Sequence, residues 1–418
     1  MLPIGFFLTL LLLGVPIAFV LVLSAVFLVL ISGDHVLFLS FHQQFFGGME
    51  QYGLLALPLF IVVGELMGVG GMARRLVALA GLFVGNLRGG LAYVNLLANA
   101  LMASILGSAV AQISVMNKVM TPEMEKQGYT RLYSVALTTS GGLLAPILPP
   151  SMLFVVYGVL AQISIGDMFI AGIVPGLMLV AGFIAVIFIL GFFYEYPDTE
   201  QAVRVHWLTC LRDGVPAVLV PVVIVASILG GIATPTEAAA LAGLTAIFVG
   251  CFIYKELTVK DIGPVFVRSA MTSGMILVLI GAAQIFGFVI TFEQIPGQIV
   301  NWITSVASSE LQFLLLLNLL LLMVGMFIDA IAALIIVVPL LLPVAVNVFG
   351  LSPFHFGVIV CLNLALGLVT PPIGAGLFVA ASVSGEKAGA IAKAILPFVA
   401  VTVLVLLLLC LFPALVII

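Results

Sequence analysis

Gly141-Gly142-Leu143-Leu144-Ala145-Pro146-Ile147-Leu148-Pro149-Pro150-Ser151 and Leu366-Gly367-Leu368-Val369-Thr370-Pro371-Pro372-Ile373-Gly374 decide how this chain folds. Each puts a Pro-Pro pair in the middle of an apolar stretch long enough to cross a bilayer. Proline removes a backbone donor and blocks the helical ladder, and lipid supplies no replacement partner. Such a break persists only inside protein or beside a water-filled cavity. Two corresponding breaks in two halves of a chain are the sequence sign of a transporter binding site.

Working outward, the rest of the chain is membrane-like. Of 418 residues, 64% are hydrophobic and 7% charged, against about 25% charged in soluble domains. That predicts an all-α polytopic membrane protein and excludes a water-soluble core. A net charge of -4 leaves no basic surface for nucleic acid. Cys210, Cys251, Cys361 and Cys410 are scattered and read as small apolar fillers. His35, His42, His206 and His355 form no cluster in sequence. The N-terminus lacks a basic n-region, so the first apolar segment is expected to stay in the membrane.

Apolar runs predict spans at about 53–71, 132–160, 168–193, 214–231, 237–254, 269–291, 357–383 and 394–418. Residues 2–31 are apolar throughout, about 45 Å as one helix, and Gly14-Val15-Pro16 offers a hinge or turn inside them. Two further stretches, about 90–119 and 311–346, are interrupted near their middles by Gly107-Ser108 and by Gly325 to Asp329.

Basic residues set orientation. Arg74, Arg75, Arg88, Lys118, Lys126, Arg131, Arg204, Arg212, Lys255, Lys260, Arg268, Lys387 and Lys393 are placed in the cytoplasm. The connections 32–52, 161–167, 232–236, 292–310 and 347–356 contain none and are placed outside. Segment 90–119 then has both ends inside, and 311–346 has both ends outside. Each reads as a re-entrant hairpin, one from either face; two ordinary spans apiece is the alternative, and each stretch is short for that. Residues 72–87 suit an interfacial helix. Residues 194–213, with Glu195, Asp198, Glu200, Arg204, Arg212 and Asp213, read as a cytoplasmic linker.

The two halves align by arithmetic. Pro149 and Pro371 are 222 residues apart, as are Pro150 and Pro372, Gly128 and Gly350, and Pro175 and Pro397; Gly107 and Gly325 are 218 apart. With the charge-based topology, matched elements run in opposite directions, which predicts inverted-topology repeats. The first repeat is 1–193, with the hairpin at about 90–119 and the broken helix 132–160. The second is 214–418, with the hairpin at about 311–346 and the broken helix 357–383.

Helix ends exposed at a break offer N–H groups to anions and carbonyls to Na⁺. The candidate site is therefore Gly107, Ser108 and Ala109 at the first tip, and Gly141, Gly142, Pro149, Pro150 and Ser151 at the first break. Gly325, Met326 and Asp329 at the second tip join Asn363, Thr370, Pro371, Pro372 and Gly374 at the second break. Ser108, Asn363 and Thr370 carry hard oxygen atoms suited to Na⁺, although a membrane-helix hydroxyl more often bonds a preceding carbonyl. Glu65, Asp329 and Glu237 are carboxylates in or near apolar segments. Asp329 could face a cation or cap a half-helix. Glu237 follows Thr234-Pro235-Thr236 and reads as a helix start. Glu65 could sit where two protein surfaces meet. Almost no Lys or Arg lies in the core, so an anion there would rely on helix dipoles, hydroxyls and a co-bound cation.

These residues resemble a family. Gly107-Ser108-Ala109-Val110, Pro122-Glu123-Met124 to Gly128-Tyr129, and Gly141-Gly142 through Pro149-Pro150-Ser151 are similar to the large membrane subunit of tripartite ATP-independent periplasmic (TRAP) transporters. So are Ser164 through Gly176, Gly325-Met326-Phe327-Ile328-Asp329-Ala330, Asn363 through Gly374, Asn86-Leu87-Arg88-Gly89-Gly90 and Gly14-Val15-Pro16. The resemblance implies a Na⁺-driven elevator-type transporter of the bacterial inner membrane, in which a unit holding both hairpins and both broken helices slides against a scaffold. It implies a periplasmic solute-binding protein and a separate small four-helix membrane subunit as partners, a carboxylate substrate, and no cofactor besides Na⁺ as coupling ion. Ala365 stands where the family often has an acidic residue, Gly376 where asparagine is common, and Gln112 where Thr or Asp is usual. A stand-alone exchanger, possibly proton-driven through Glu65 or Asp329, is the alternative. An intramembrane enzyme is disfavoured, since no His-Glu-x-x-His or Gly-x-Ser-x-Gly pattern occurs. An inert assembly subunit would leave two matched breaks unexplained.

Overall fold

Proline and glycine punctuate this chain: many helices begin or end at them, while Pro122, Pro175, Pro216, Pro221, Pro264, Pro339 and Pro343 lie inside helices. The computed structural model describes residues 2–84, 89–193, 196–197 and 207–417. Asn86, Leu87 and Arg88 lie outside these, as do linker residues Glu195, Asp198, Glu200 and Arg204. Every element among the described residues is helical. Seven helices are long and apolar enough to cross a membrane, or up to eight if the bent pair Ala388–Ala394 and Leu396–Leu411 counts as one span.

The first apolar run is two helices, Leu2–Leu12 and Ile17–Ser32. Gly14 turns the chain with φ 74°, and the Phe6 and Phe27 rings stack at 4.2 Å. Polar-looking connections hold helices that periodicity over long windows passes over: Phe41–Met49 and Ile295–Val306. Helix Val259–Phe292 extends the span expected at 269–291 to 34 residues, about 51 Å. Residues 207–213, read as linker, form the start of helix Trp207–Leu229. Within the stretch 72–87 the described residues form helix Met72–Val84, which packs on its neighbours: Met72, Leu76 and Ala80 are buried, while Arg74 and Arg75 pair with Glu256 at 3.0 and 2.8 Å.

Three apolar clusters form among the described residues; the smallest joins Ile17–Ser32 to Val259–Phe292 through Val29 and Val289, and the other two organise the site. One joins Ala56–Val69, Met72–Val84, Trp207–Leu229 and Pro235–Phe248 through Leu66, Leu76, Val220 and Ala242, and takes in Ala98 and Met116 of the first hairpin. The other joins both broken helices to both hairpins through Phe154, Tyr157, Leu317, Leu334, Phe356 and Leu364. We call the first helices the scaffold. The hairpins are Gly90–Leu106 with Ala109–Lys126, and Glu310–Phe327 with Ala330–Asn347. The broken helices are Arg131–Gly141 with Met152–Leu160, and Pro353–Gly367 with Ala375–Ser384.

The broken helices run antiparallel. Arg131, at the start of the first, donates through Nε to Ser384 O at the end of the second (3.0 Å). Tyr157, near the end of the first, donates through its hydroxyl to Pro353 O at the start of the second. Arg131 and Pro353 are themselves 222 residues apart.

Candidate transport site

Each hairpin tip is bonded to its own break by one backbone hydrogen bond. Met152 N–H, opening the second half of the first broken helix, donates to Gly107 O at 3.4 Å. Gly374 N–H, capping the second half of the other, donates to Met326 O at 3.0 Å. Met152 and Gly374 are again 222 apart. The Pro149-Pro150 and Pro371-Pro372 bonds are both cis.

Glycine is needed where tip and break converge. Gly107 has φ +59°, and a Cβ there would lie 3.0 Å from Met152 N. A Cβ on Gly142 would come to 2.4 Å from Ile113 Cγ1, and one on Gly141 to 2.6 Å from Asn99 Cγ. At the second site backbone meets backbone: a Cβ on Gly367 would lie 2.6 Å from Gly325 Cα.

The polar candidates divide by how their groups are used. Ser151 Oγ donates to Pro146 O (2.6 Å) and accepts from Phe154 N–H (3.4 Å), so the hydroxyl stabilises the break itself. Thr370 Oγ1 donates to Leu366 O at 2.7 Å and keeps its lone pairs. Ser108 is half-buried and makes no side-chain cap to helix Ala109–Lys126. Asn363 is buried; its Nδ2 donates to Asn318 O (2.9 Å) and Oδ1 (2.6 Å), and its own Oδ1 has no partner. Asp329 caps helix Ala330–Asn347, accepting from Ile331 N–H at 3.1 Å.

The other carboxylates stand apart from both tips. Glu237 forms a capping box with Thr234, whose N–H donates to its Oε2 at 2.8 Å. Glu65 pairs with Arg268 Nε at 2.9 Å on the half-exposed face between scaffold helix Ala56–Val69 and helix Val259–Phe292. Among the described residues no His, Cys, Asp or Glu cluster could hold a metal.

The surroundings of the two sites differ. Residues 141–147, 150 and 151 are buried, and Phe60, Val63 and Ile224 of the scaffold close a cleft of only about 10 Å³ over Gly107 and Pro150. Pro371, Pro372 and Ile373 are exposed, as are Phe327 and Asp329. A larger crevice of about 390 Å³ lies between Ile280, Gln284 and Thr291 of helix Val259–Phe292 and Leu160 and Pro339. It touches neither proline pair.

Sequence reasoning did not single out Asn95, Asn99 and Asn318. Asn95 and Asn99 are fully buried; Asn95 Nδ2 donates to Thr138 Oγ1 (2.7 Å) and Asn99 Nδ2 to Asn95 Oδ1 (2.7 Å). The available signal was an amide one helical turn from another in an apolar run, because amides inside a membrane must find partners.

Comparison with known proteins agrees with this geometry. Residues 4–415 match the family model described as "Tripartite ATP-independent periplasmic transporter, DctM component". The C4-dicarboxylate TRAP transporter large permease protein DctM of Pseudomonas aeruginosa is 36% identical, over 94% of this chain and 91% of that one. The sialic acid TRAP transporter large permease protein SiaM of Vibrio cholerae is 33% identical, over 96% and 93%. The isethionate TRAP transporter permease protein DctMQ of Oleidesulfovibrio alaskensis is 38% identical over 98% of this chain, which spans 64% of that longer relative. Among solved structures, the Alcanivorax borkumensis YdaH transporter superposes with TM-score 0.68 at 13% identity, over 97% and 98% of the two chains. At that identity the likeness concerns the fold. With the fold, the paired breaks and the match along nearly the whole sequence in agreement, the chain is a multi-pass membrane protein belonging to the DctM family, the large permease component of TRAP transporters.

Proposed function

We propose that this chain is the permease of a Na⁺-coupled importer of an organic acid, working by an elevator mechanism in the bacterial inner membrane. The observation that carries the reading is the pair of tip-to-break hydrogen bonds, Met152 to Gly107 and Gly374 to Met326, on antiparallel broken helices. They hold four half-helix ends together, and half-helix N-termini favour a carboxylate without a buried cationic side chain. Ser108, the bare Asn363 Oδ1 and the Thr370 Oγ1 lone pairs are the side-chain oxygens offered to Na⁺.

The unit that moves is the core of hairpins and broken helices. In this conformation the first tip rests on Phe60, Val63 and Ile224 of the scaffold while the second break is open. Sliding the unit would uncover the first and seat the second, with the crevice beside Ile280 and Gln284 as the space it moves into. Inverted repeats 1–193 and 214–418 make the two end states mirror versions of one arrangement. A periplasmic solute-binding protein delivers the acid, and a small four-helix membrane subunit on a separate chain supports the scaffold. The relatives' substrates, C4-dicarboxylates, sialic acid and isethionate, are organic acids and mark the class.

The second reading, a proton-driven exchanger, loses ground on geometry, since Glu65 is ion-paired on the scaffold and Asp329 caps a helix. Reconstitution in proteoliposomes with the two partners tests the choice. Uptake is expected to need an inward Na⁺ gradient and the binding protein; uptake driven by a pH gradient alone would reject the proposal. Thr370→Ala, with expression preserved, is expected to raise the half-saturating Na⁺ concentration roughly ten-fold, the size of one lost charge-assisted contact. An unchanged Na⁺ dependence would remove Thr370 from the ion site.

A further inference from the structure

Both hairpins carry the same side-chain fastening, built from different residues. Asn99 lies eight positions before Gly107, and Asn318 eight before Met326, the two tip carbonyls bonded to the breaks. Gln112 Nε2 donates to both Asn99 O (2.8 Å) and Asn99 Oδ1 (3.0 Å). Asn363 Nδ2 donates to both Asn318 O (2.9 Å) and Asn318 Oδ1 (2.6 Å). In each case one carboxamide NH₂ bridges the backbone and side-chain oxygens of one asparagine.

The donors arrive from different elements. Gln112 is the fourth residue of the first hairpin's second arm, Ala109–Lys126; the fourth residue of the matching arm Ala330–Asn347, 221 positions on, is Ala333. Asn363 stands on a broken helix, where the equivalent residue, 222 positions earlier, is Gly141. Gly141 has no room for a side chain, because a Cβ would meet Asn99 itself at 2.6 Å. Its carbonyl instead takes a further bond from Gln112 Nε2 at 3.2 Å. Two chemically equal clasps reached by different residues mark the clasp as the thing the fold requires. Each also leaves one oxygen buried without a partner, Gln112 Oε1 and Asn363 Oδ1, held in direction because the NH₂ end of a planar carboxamide is fixed.

We infer that Gln112 and Asn363 are matched positioning residues: each locks the register of a hairpin tip against its broken helix, and each holds one bare carboxamide oxygen in a fixed direction beside that helix. At the first site the second bond between hairpin and broken helix is Gln112 Nε2 to Gly141 O, the Asn99 clasp holding Gln112 in place; at the second it is the Asn363–Asn318 clasp itself. With the tip hydrogen bond, each hairpin then has two polar ties to its break, and slipping along the break loses both. This deepens the transport reading, and it rests on that reading only for its uptake measurement.

Hydrogen–deuterium exchange of the full-length protein in nanodiscs tests it, reading peptides over 104–110 and 323–330. Gln112→Ala and Asn99→Ala are expected to speed exchange at the first tip about ten-fold and leave the second unchanged; Asn363→Ala and Asn318→Ala do the reverse. The double variant Asn99→Ala/Gln112→Ala is expected to match the singles. Half-saturating Na⁺ for uptake should rise with tip exchange, and the exchanged pair Asn99→Gln/Gln112→Asn should recover part of it. Equal acceleration across the whole chain, or no change at either tip in folded protein, overturns the assignment. Should the alanine variants not fold, Gln112→Glu and Asn363→Asp keep the shape and replace the donor, and the same tip-specific pattern is required of them. Wild-type uptake indifferent to Na⁺ would count against the coupling ion, while exchange would still decide the clasps.

Discussion

The first hairpin is laced with hydrogen bonds and sealed; the second, beyond its Asn318–Asn363 clasp and Asp329 cap, is held by apolar packing and open. Asn95, Asn99, Gln112, Asn117 and Thr121 are all buried around the first, and Asn117 Nδ2 also donates to Ile113 O (2.9 Å). At the second, Leu314 replaces Asn95 and Val360 replaces Thr138 at the equivalent positions. Among the described residues, arm Ala330–Asn347 has no side-chain hydrogen bond beyond its Asp329 cap. One topology is thus stabilised in two ways. Buried amide networks fix a single arrangement, because breaking any member strands the others. Apolar packing is less directional and tolerates sliding. Both tips keep their clasps, so the contrast lies in the second arms: Ala109–Lys126 is the rigid one and Ala330–Asn347 the adaptable one.

The comparison breaks most severely at the glycines. In Gly367→Ala the new Cβ meets Gly325 backbone at 2.6 Å, where nothing can rotate away. Loss of folded protein or of all uptake is expected, with a cost of about 3 kcal/mol or more. Gly142→Ala clashes with the Ile113 side chain alone, Ala109 O lying at an ordinary contact distance of 3.4 Å, and about 1–3 kcal/mol is expected, relieved by adding Ile113→Ala. Thermal melts of purified protein check both, and equal costs would remove the distinction between the sites.

Accessibility sharpens it. Ser151 and Ile373 are 222 residues apart, yet Ser151 is 1% exposed and Ile373 45%. Ile373→Cys should react with a small polar maleimide at least about ten-fold faster than Ser151→Cys. Equal rates would mean that both breaks are open alike.

The smallest expected effect comes from making the first hairpin resemble the second. Asn95→Leu or Thr138→Val alone leaves a buried partner unsatisfied and should cost about 1–3 kcal/mol. The double variant, which installs the residues of the second site, should cost less than the sum. Strict additivity would mean that the two side chains do not interact.

The fold was legible because its signals are backbone signals. Pro-Pro pairs, Gly107 and Gly14 act through covalent geometry, so the chain breaks and turns at them; Gly325 instead lies inside helix Glu310–Phe327, and the second hairpin turns at Ile328-Asp329. Short amphipathic helices such as Ile295–Val306 were read as connections, since their apolar faces are too brief for a span-length window. Within the site, the glycines and prolines were legible, but hydrogen-bond partners were not. Nothing in a linear sequence says that Asn363 meets Asn318 or that Gln112 straddles Asn99, because those contacts join elements 45 and 13 residues apart. Asp329 illustrates the same limit: its bond from Ile331 N–H is a contact of the folded chain that no linear pattern fixes.

Movement of the hairpin and broken-helix unit against the scaffold is tested most directly by tying the two together. Val63 of the scaffold and Ser104 of the first hairpin line the same narrow cleft. In a variant with its native cysteines replaced, Val63→Cys and Ser104→Cys can be joined by a short thiol-cleavable cross-linker, and uptake measured before and after reduction. The account predicts that uptake stops on cross-linking and returns when the linker is cleaved. Wild-type uptake by fully cross-linked protein would contradict it.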